Sequence, residues 1–172
     1  MKTKLKAPKI LYSGWTIESD NGMRSFDPQD MILHLEPEQK MSSIQGTVLK
    51  ERLHKTALNA SVLDYFIEHQ DKIPENWKEK TSNGLTNFIY FWGTVYRDSD
   101  DSLYVRCLGW YGGKWDWHCS WVDGGWDDRS PAVLRASALN SDTKASSNTL
   151  SLEDRIKAIE DALDYHQLGR NI

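Results

Sequence analysis

The sequence predicts an α+β protein with a mainly antiparallel sheet packed by helices, and three observations support this fold class. Six of the eight tryptophans lie between Trp92 and Trp126, where aromatic and β-branched residues alternate around turn residues. Apolar residues recur at helical spacing over 59–68 and again over 151–168. Of the 172 residues 39% are hydrophobic, so the chain can bury one core and we expect one main domain.

Short strands are predicted at 9–17 and 31–35, on either side of a loop that contains Gly, Asp and Pro. A helix is predicted after Asn59, a residue type that favours the N-cap position. Its apolar stripe consists of Val62, Leu63, Phe66 and Ile67. Pro74 ends this helical region, and we expect a short helical turn there whose Trp77 packs inward.

Gly112 and Gly113 predict a two-residue β-hairpin, because both central positions of a type I′ turn require positive φ. Closing the turn there pairs Tyr111 with Lys114 and fixes the register of both strands. Successive side chains of a strand point to opposite faces, so one face of this hairpin collects most of the aromatic residues. We call it the aromatic face, and its members are Tyr104, Arg106, Leu108, Trp110, Trp115, Trp117, Cys119 and Trp121.

A further strand is predicted upstream at 88–96, which makes a Trp-rich antiparallel meander of three strands. The connecting turn needs Asp101 in the left-handed conformation. The residue pairs expected from this turn are Tyr96 with Tyr104 and Trp92 with Leu108. In this register the aromatic face also gains Trp92, Thr94 and Tyr96.

The opposite face of the meander is mostly aliphatic on its first two strands, which predicts that a helix covers it. Gly93 on this face indicates close approach of the covering segment. On the third strand the same face is polar, and we expect that strand to be an edge of the sheet. Its polar residues are Asp116, His118 and Ser120. Asp116 and His118 could form an acid–base pair, although a surface pair without a catalytic role is more common.

After the meander, Ser130 and Pro131 suggest the start of a brief helix that reaches Ala138. Residues 1–138 are therefore assigned to one α+β domain, and 139–149, rich in Ser, Asn and Thr, to a linker. A C-terminal amphipathic helix is predicted at 150–169. Its apolar stripe is Leu152, Ile156, Ile159 and Leu163. That stripe can dock on its own domain, or it can pair with a second copy of the chain as a homodimer or with another partner.

Composition excludes several classes of protein. The formal net charge of −4 argues against nucleic-acid binding, which relies on clustered Lys and Arg. The basic N-terminal residues lack a following apolar run, so they predict a solvated tail rather than a signal peptide or a membrane anchor. Cys107 and Cys119 fall on opposite faces of paired strands, so we expect free thiols and a reducing, cytoplasmic location.

No motif in the sequence predicts catalysis, a metal or a cofactor. Asp98, Asp100 and Asp101 cluster in one loop, but that loop lacks the central Gly and the later Glu of a calcium-binding loop. The five histidines show no zinc-ligand spacing. Nucleophile-elbow, P-loop and dinucleotide fingerprints are missing as well, so the sequence predicts no catalytic residue and an enzyme is the less favoured class.

The segment 58–136 resembles a group of small uncharacterised bacterial proteins. The resemblance rests on the runs Ile73-Pro-Glu-Asn-Trp77, Phe91-Trp-Gly-Thr-Val-Tyr-Arg-Asp-Ser-Asp100 and Leu103-Tyr-Val-Arg106, and on the Trp-rich hairpin. Similar sequences commonly have Gly at the position of Asp101, which supports the predicted turn. The resemblance covers under half of the chain and implies a bacterial source and a shared fold for this segment, but no activity.

The candidate binding residues lie on and beside the aromatic face and are Arg106, Trp110, Trp115, Trp117, Trp121 and Trp126. These residue types form packed cores, and they are also the types enriched at binding hot spots. Too few helices are predicted to cover both sheet faces, so we expect exposed rings near Trp115, Trp121 and Trp126. The favoured function is a non-enzymatic interaction module that binds a basic protein, as an inhibitor or immunity factor would. The alternative is a carbohydrate-binding or carbohydrate-processing module.

Overall fold

The structure is a computed structural model, and it describes residues 2–81, 84 and 87–139. Within these residues the protein is α+β, with helices packed on a mixed, mainly antiparallel sheet, as the sequence predicts. Every strand and every numbered helix named below belongs to the unit Met1–Ala136. The predicted C-terminal helix at 150–169, and the predicted linker beyond residue 139, lie outside the described residues.

The main sheet has the strand order β4-β10-β6-β7-β8, and β2 pairs with another part of β6. These strands are β2 (Thr16–Asp20), β4 (Met31–His34), β6 (Phe88–Arg97), β7 (Leu103–Tyr111), β8 (Lys114–Trp121) and β10 (Ala132–Arg135). Only the contact between β10 and β6 is parallel among these described pairings. Two minor pairs join β1 (Thr3–Lys4) to β3 (Ser25–Phe26) and β5 (Ile44–Gln45) to β9 (Gly125–Trp126).

The described part of the chain contains three numbered α-helices and two short 3₁₀ helices, and residues 136–139 are also helical. The numbered helices are α1 (Pro37–Met41), α2 (Gly46–Leu53) and α3 (Ala60–Glu68), and the 3₁₀ helices are Gln70–Lys72 and Glu75–Lys78. Asn59 is the N-cap of α3 as predicted, but its side chain donates to Asp20 Oδ1 at 2.9 Å instead of capping the helix. The Thr94 hydroxyl accepts from the Ala60 N–H at 3.0 Å and takes over the capping role.

Two predicted elements are wrong. Residues 9–15 are not a strand, because a turn in which the Trp15 N–H donates to the Tyr12 carbonyl at 3.1 Å precedes β2. The predicted helix from Ser130 to Ala138 is replaced over Ala132–Arg135 by β10, which lies between β4 and β6, and helical structure begins only at residue 136. Val133 and Leu134 of this strand are almost completely buried, which suits a β-branched and apolar segment in the middle of a sheet.

The register between β7 and β8 is the predicted one. Tyr111 faces Lys114, and the pairing continues without a break to Tyr104 and Trp121. The turn residues Gly112 and Gly113 have φ of +54° and +81°, as a type I′ turn requires. The aromatic face of this hairpin therefore has the predicted members.

The register between β6 and β7 agrees with the prediction at one end only. Tyr96 faces Tyr104 as predicted, across a turn in which Asp101 has φ of +64°. Leu108, however, faces Ile89 rather than Trp92. Between the pairs Tyr90–Cys107 and Val95–Val105, β6 has three residues more than β7. A register shift by an odd number of residues moves side chains to the opposite face of the sheet. The Trp92 side chain consequently lies on the opposite side of the sheet from the aromatic face.

The helix α3 packs on the aromatic face and not on the aliphatic one, which corrects the prediction. Val62, Leu63 and Phe66 of α3 share one buried cluster with Leu108 and Trp115. The other face is buried as well, since Tyr90, Trp92 and Val105 are each 5% exposed or less. Gly93 does lie against a close neighbour as predicted, since a Cβ there would come within 2.8 Å of the Ala57 carbonyl oxygen.

Cys107 and Cys119 are both free, as predicted. Burial raises the pKa of Cys107 to about 12 and that of Cys119 to about 11, so neither forms much thiolate near neutral pH. We expect both thiols to resist iodoacetamide at pH 8 in the folded protein, with the more buried Cys107 reacting more slowly. Mass spectrometry after timed labelling measures this, and unfolding in guanidinium should expose both. A disulfide in the unreduced protein would contradict the register of β7 and β8.

Candidate functional site

Two of the residues expected at the surface are buried. Trp115 is 3% exposed because it faces α3, and Gln70 bonds to both its backbone N–H and its carbonyl. Trp126 is 4% exposed, and its indole N–H donates to the Val122 carbonyl at 3.2 Å. The expectation of surface rings at Trp115 and Trp126 is therefore wrong, since short segments outside the meander cover them.

Trp121 is exposed as predicted, with 53% of its surface accessible. It ends β8 and faces Tyr104 on the neighbouring strand, so both side chains start from the aromatic face. Trp110 and Trp117 are partly buried at the edge of the core. The Lys78 ammonium lies over the Trp110 ring, 4.0 Å from the ring centroid, so it occupies that face of the indole.

An aromatic patch forms on the aromatic face from segments that are distant in sequence. We define the aromatic patch as Tyr12, Trp15, Tyr104, Trp117 and Trp121. Tyr12 lies 5.1 Å from Trp15 and 6.5 Å from Trp117, and Trp15 lies 4.8 Å from Tyr104, measured between ring centroids. Tyr12 is itself 53% exposed. The patch thus contains two exposed rings, and one of them, Tyr12, contacts the partly buried rings of Trp15 and Trp117.

The sequence did not identify Tyr12 and Trp15 as site residues. They lie in the loop before β2, and they reach the aromatic face only because that strand pairs with β6. The sole signal in the sequence is that two large aromatic residues fall close together in an apolar segment that also holds Ile10, Leu11 and Ile17. Such a signal indicates packing somewhere, but not against which strand.

Arg106 lies beneath the aromatic patch and not within its surface. Its side chain is 3% exposed, and Nη1 donates to Asp64 Oδ1 at 2.9 Å. The guanidinium carbon is 4.4 Å from the centroid of the Trp117 ring. The buried ion pair and the cation–π contact together fix this indole from below. Arg106 is therefore a supporting residue of the patch.

Acidic residues border the aromatic patch. The turn between β6 and β7 carries Asp98, Asp100 and Asp101, against a single Arg97. Burial, followed by the negative charges of Asp98 and Asp100, raises the pKa of Tyr104, so these carboxylates lie close to that ring. Asp123, two residues after Trp121, is also exposed. The surroundings of the patch favour positive charge on a partner.

A cavity of about 300 Å³ opens on the other side of β8, and we call it the β8 cavity. It is lined by Phe88, Tyr90, His118, Ser120, Trp121 and Trp126, together with Gly124, Gly125, Asp127, Arg129 and Ser130. The Tyr90 hydroxyl and Ser120 Oγ are 2.8 Å apart. Burial raises the pKa of Tyr90, so its hydroxyl keeps its proton and can donate.

The cavity wall formed by residues 124–130 is held in place by two sets of bonds. Arg129 Nη2 and Nε lie 2.9 and 3.0 Å from Asp127 Oδ2. The buried Gln39 amide donates to the carbonyls of Asp127 and Ser130, each at 3.0 Å. His118 stands at the opposite wall, against the rings of Phe88 and Tyr111. Asp116 bonds to the backbone N–H of Trp117, and it is not among the residues that line the cavity.

No group of three His, Cys, Asp or Glu side chains within 2–81, 84 and 87–139 is arranged to hold a metal ion. Over the same residues, no helix has the length and apolar character needed to cross a membrane. Comparisons with protein families, with curated proteins and with solved structures found no match to this chain. The fold and the two sites define an α+β domain with an exposed aromatic patch and a polar cavity, and Trp121 belongs to both sites.

Proposed function

We propose that this protein is a non-enzymatic interaction module that binds a basic protein through the aromatic patch. The observation that carries the proposal is the exposure of Tyr12 and Trp121, each 53% accessible. Exposed Trp and Tyr rings contribute a large share of the binding free energy at protein interfaces. Clustered apolar surface of this kind is typical of interaction sites.

The charge around the aromatic patch favours a partner with Lys and Arg at its surface. Asp100 and Asp101 are exposed in the turn before Tyr104, and Asp123 is exposed two residues after Trp121. Unlike charges across an interface speed association and orient the encounter. The formal net charge of the whole chain, −4, has the same sign. A small acidic protein that neutralises a basic one acts as an inhibitor or an immunity factor.

The support beneath the aromatic patch favours binding as well. Arg106 and Asp64 form an ion pair that is largely shielded from water, and Trp117 rests on its guanidinium. A ring that is already fixed loses little conformational freedom when a partner covers it. We infer that the patch is rigid before binding.

Binding should depend on the exposed rings of the patch. A partner captured from the native host and identified by mass spectrometry would be produced in pure form, and its affinity measured by calorimetry. Trp121→Ala and Tyr12→Ala should each weaken binding by about 30-fold, equivalent to about 2 kcal/mol. Met41→Ala is the matched control, since Met41 is 82% exposed but lies outside the patch, and it should leave affinity unchanged.

The acidic border provides an independent measurement. Asp100→Lys should slow association with the same partner, and added salt should reduce the difference from the wild type. Equal affinity of the wild type, Trp121→Ala and Tyr12→Ala would reject the patch as the binding surface.

A second copy of the chain, paired through the predicted helix 150–169, is the alternative partner. Light scattering of the full chain and of a chain ending at Asn148 distinguishes it.

A further inference from the structure

We propose that the β8 cavity binds a neutral sugar ring. This inference rests on residues of the wall 124–130 and of the polar face of β8; of the aromatic patch, Trp121 also lines the cavity. The cavity volume of about 300 Å³ lies at the lower end of the range for small-molecule sites. A single pyranose ring with its hydroxyl groups is a ligand of suitable size.

The charged groups of the cavity select against ionic ligands. The cavity lining contains one Asp and one Arg, Asp127 and Arg129, and they form an ion pair with N–O distances of 2.9 and 3.0 Å. An anion near Arg129 would also meet Asp127, and a cation near Asp127 would meet Arg129. A neutral ligand that both donates and accepts hydrogen bonds can use the two groups together. Adjacent hydroxyl groups of a sugar have this property.

Further hydroxyl groups line the inner wall of the cavity. The Tyr90 hydroxyl and Ser120 Oγ are bonded to each other at 2.8 Å, and Ser130 is part of the same lining. A hydroxyl group both donates and accepts, so this pair can still bond to a ligand hydroxyl. These groups would be left poorly paired by an apolar ligand, which therefore fits the cavity less well.

The remaining walls are aromatic. Trp126 and Phe88 line the cavity, and His118 packs against Phe88 with a centroid distance of 6.3 Å. Aromatic rings provide an apolar surface for the C–H side of a sugar ring, while its hydroxyl groups bond to the polar wall. A mixed lining of this kind matches a ligand that is itself apolar on its faces and polar at its edge.

The cavity is built before any ligand binds. Gln39, only 2% exposed, joins α1 to the wall 124–130 by bonding to the carbonyls of Asp127 and Ser130. Trp126 is fixed by its hydrogen bond to Val122 and by the Tyr90 ring at 4.5 Å. A site held by buried bonds needs little reorganisation on binding.

The test uses the full chain, labelled with ¹⁵N, and titrates D-glucose, D-galactose and N-acetyl-D-glucosamine separately to high millimolar concentration. We expect at least one of them to cause saturable shifts of the backbone signals of Ser120, Gly125 and Asp127 and of the Trp126 indole N–H. D-glucuronate and D-glucosamine, which carry a charge, should bind more weakly than their neutral counterparts.

Variants locate the binding site. Asp127→Asn and Ser120→Ala should each weaken binding of the responding sugar at least tenfold, and their backbone spectra establish that they fold. Glu75→Gln is the control, since its carboxylate is 84% exposed and lies outside the cavity. Tyr12→Ala should also leave sugar binding unchanged, which separates this inference from the proposed protein interaction.

Three results would overturn the proposal. One is the lack of saturable shifts with all three neutral sugars. Another is sugar binding that both Asp127→Asn and Ser120→Ala leave unaltered, which would place the sugar elsewhere on the protein. The third is tighter binding of D-glucuronate or D-glucosamine than of the neutral sugars, since the paired Asp127 and Arg129 could not then determine selection.

Discussion

Replacing Trp115 with alanine is expected to lower the free energy of unfolding by about 3 to 5 kcal/mol, as truncation of a large aromatic residue in a packed interior does. Trp115 is 3% exposed and belongs to the cluster that joins the hairpin to α3. Its ring also contacts Trp110, with centroids 5.4 Å apart. The variant leaves a cavity that rigid strands on one side and a helix on the other cannot close.

Trp121→Ala is the matched comparison, because it is the same change in the same strand and on the same face. Trp121 is 53% exposed, so we expect a loss below about 1 kcal/mol. Urea unfolding of both variants, followed by circular dichroism, measures the difference. Equal losses for the two variants would show that Trp121 is part of the core, and the aromatic patch would lose its central residue.

A domain of this size has a total stability of about 5 to 15 kcal/mol, so Trp115→Ala can leave a large unfolded fraction. Trp115→Phe then provides a measurable substitute, since it keeps a ring in the same place and removes less volume. Its loss should fall between those of Trp121→Ala and Trp115→Ala.

The hairpin could be predicted from the sequence because its register depends on local chemistry. Gly112 and Gly113 accept the positive φ of a tight turn, and alternation then assigns every side chain of both strands to a face. The turn at Asp101 was predictable for the same reason. Both turns lie within a few residues of the strands that they align.

The register in the middle of β6 could not be predicted, because residues there make contacts with segments that are distant in sequence. Gly93 lies against the Ala57 carbonyl, and Thr94 caps α3 through the Ala60 N–H. Gly93 indicates that a segment approaches closely but not which one, and Thr94 gives no signal of its contact with α3. The irregularity moves Trp92 to the side of Trp126, where the ring centroids are 4.9 Å apart.

The composition of the candidate sites was predictable only in part. Trp121 was expected at the surface because too few helices were predicted to cover both sheet faces, and the structure agrees. Tyr12 joins it from a segment more than 100 residues away, and Asp127 meets Gln39 across a similar interval. Pairings of that kind depend on the completed fold, which a single sequence does not specify.

The second large effect is expected at the ion pair between Arg106 and Asp64. Arg106→Met removes one partner and leaves the Asp64 carboxylate, with 15% of its side chain exposed, without its guanidinium. Loss of one member of a buried pair costs about 3 to 5 kcal/mol, because the remaining charge is desolvated and uncompensated. Asp64→Leu should cost a similar amount by leaving Arg106 as the unpaired charge.

The double variant Arg106→Met with Asp64→Leu should recover much of that loss, since two apolar side chains of similar volume can replace a buried pair at little cost. Urea unfolding of the four proteins gives the coupling free energy as a double-mutant cycle. Additive losses would mean that the two charges do not depend on each other, contrary to their 2.9 Å contact. Because Trp117 rests on the guanidinium, the recovered double variant should still bind the basic partner less tightly. Stability and binding would then separate, as a supporting role for Arg106 beneath the aromatic patch requires.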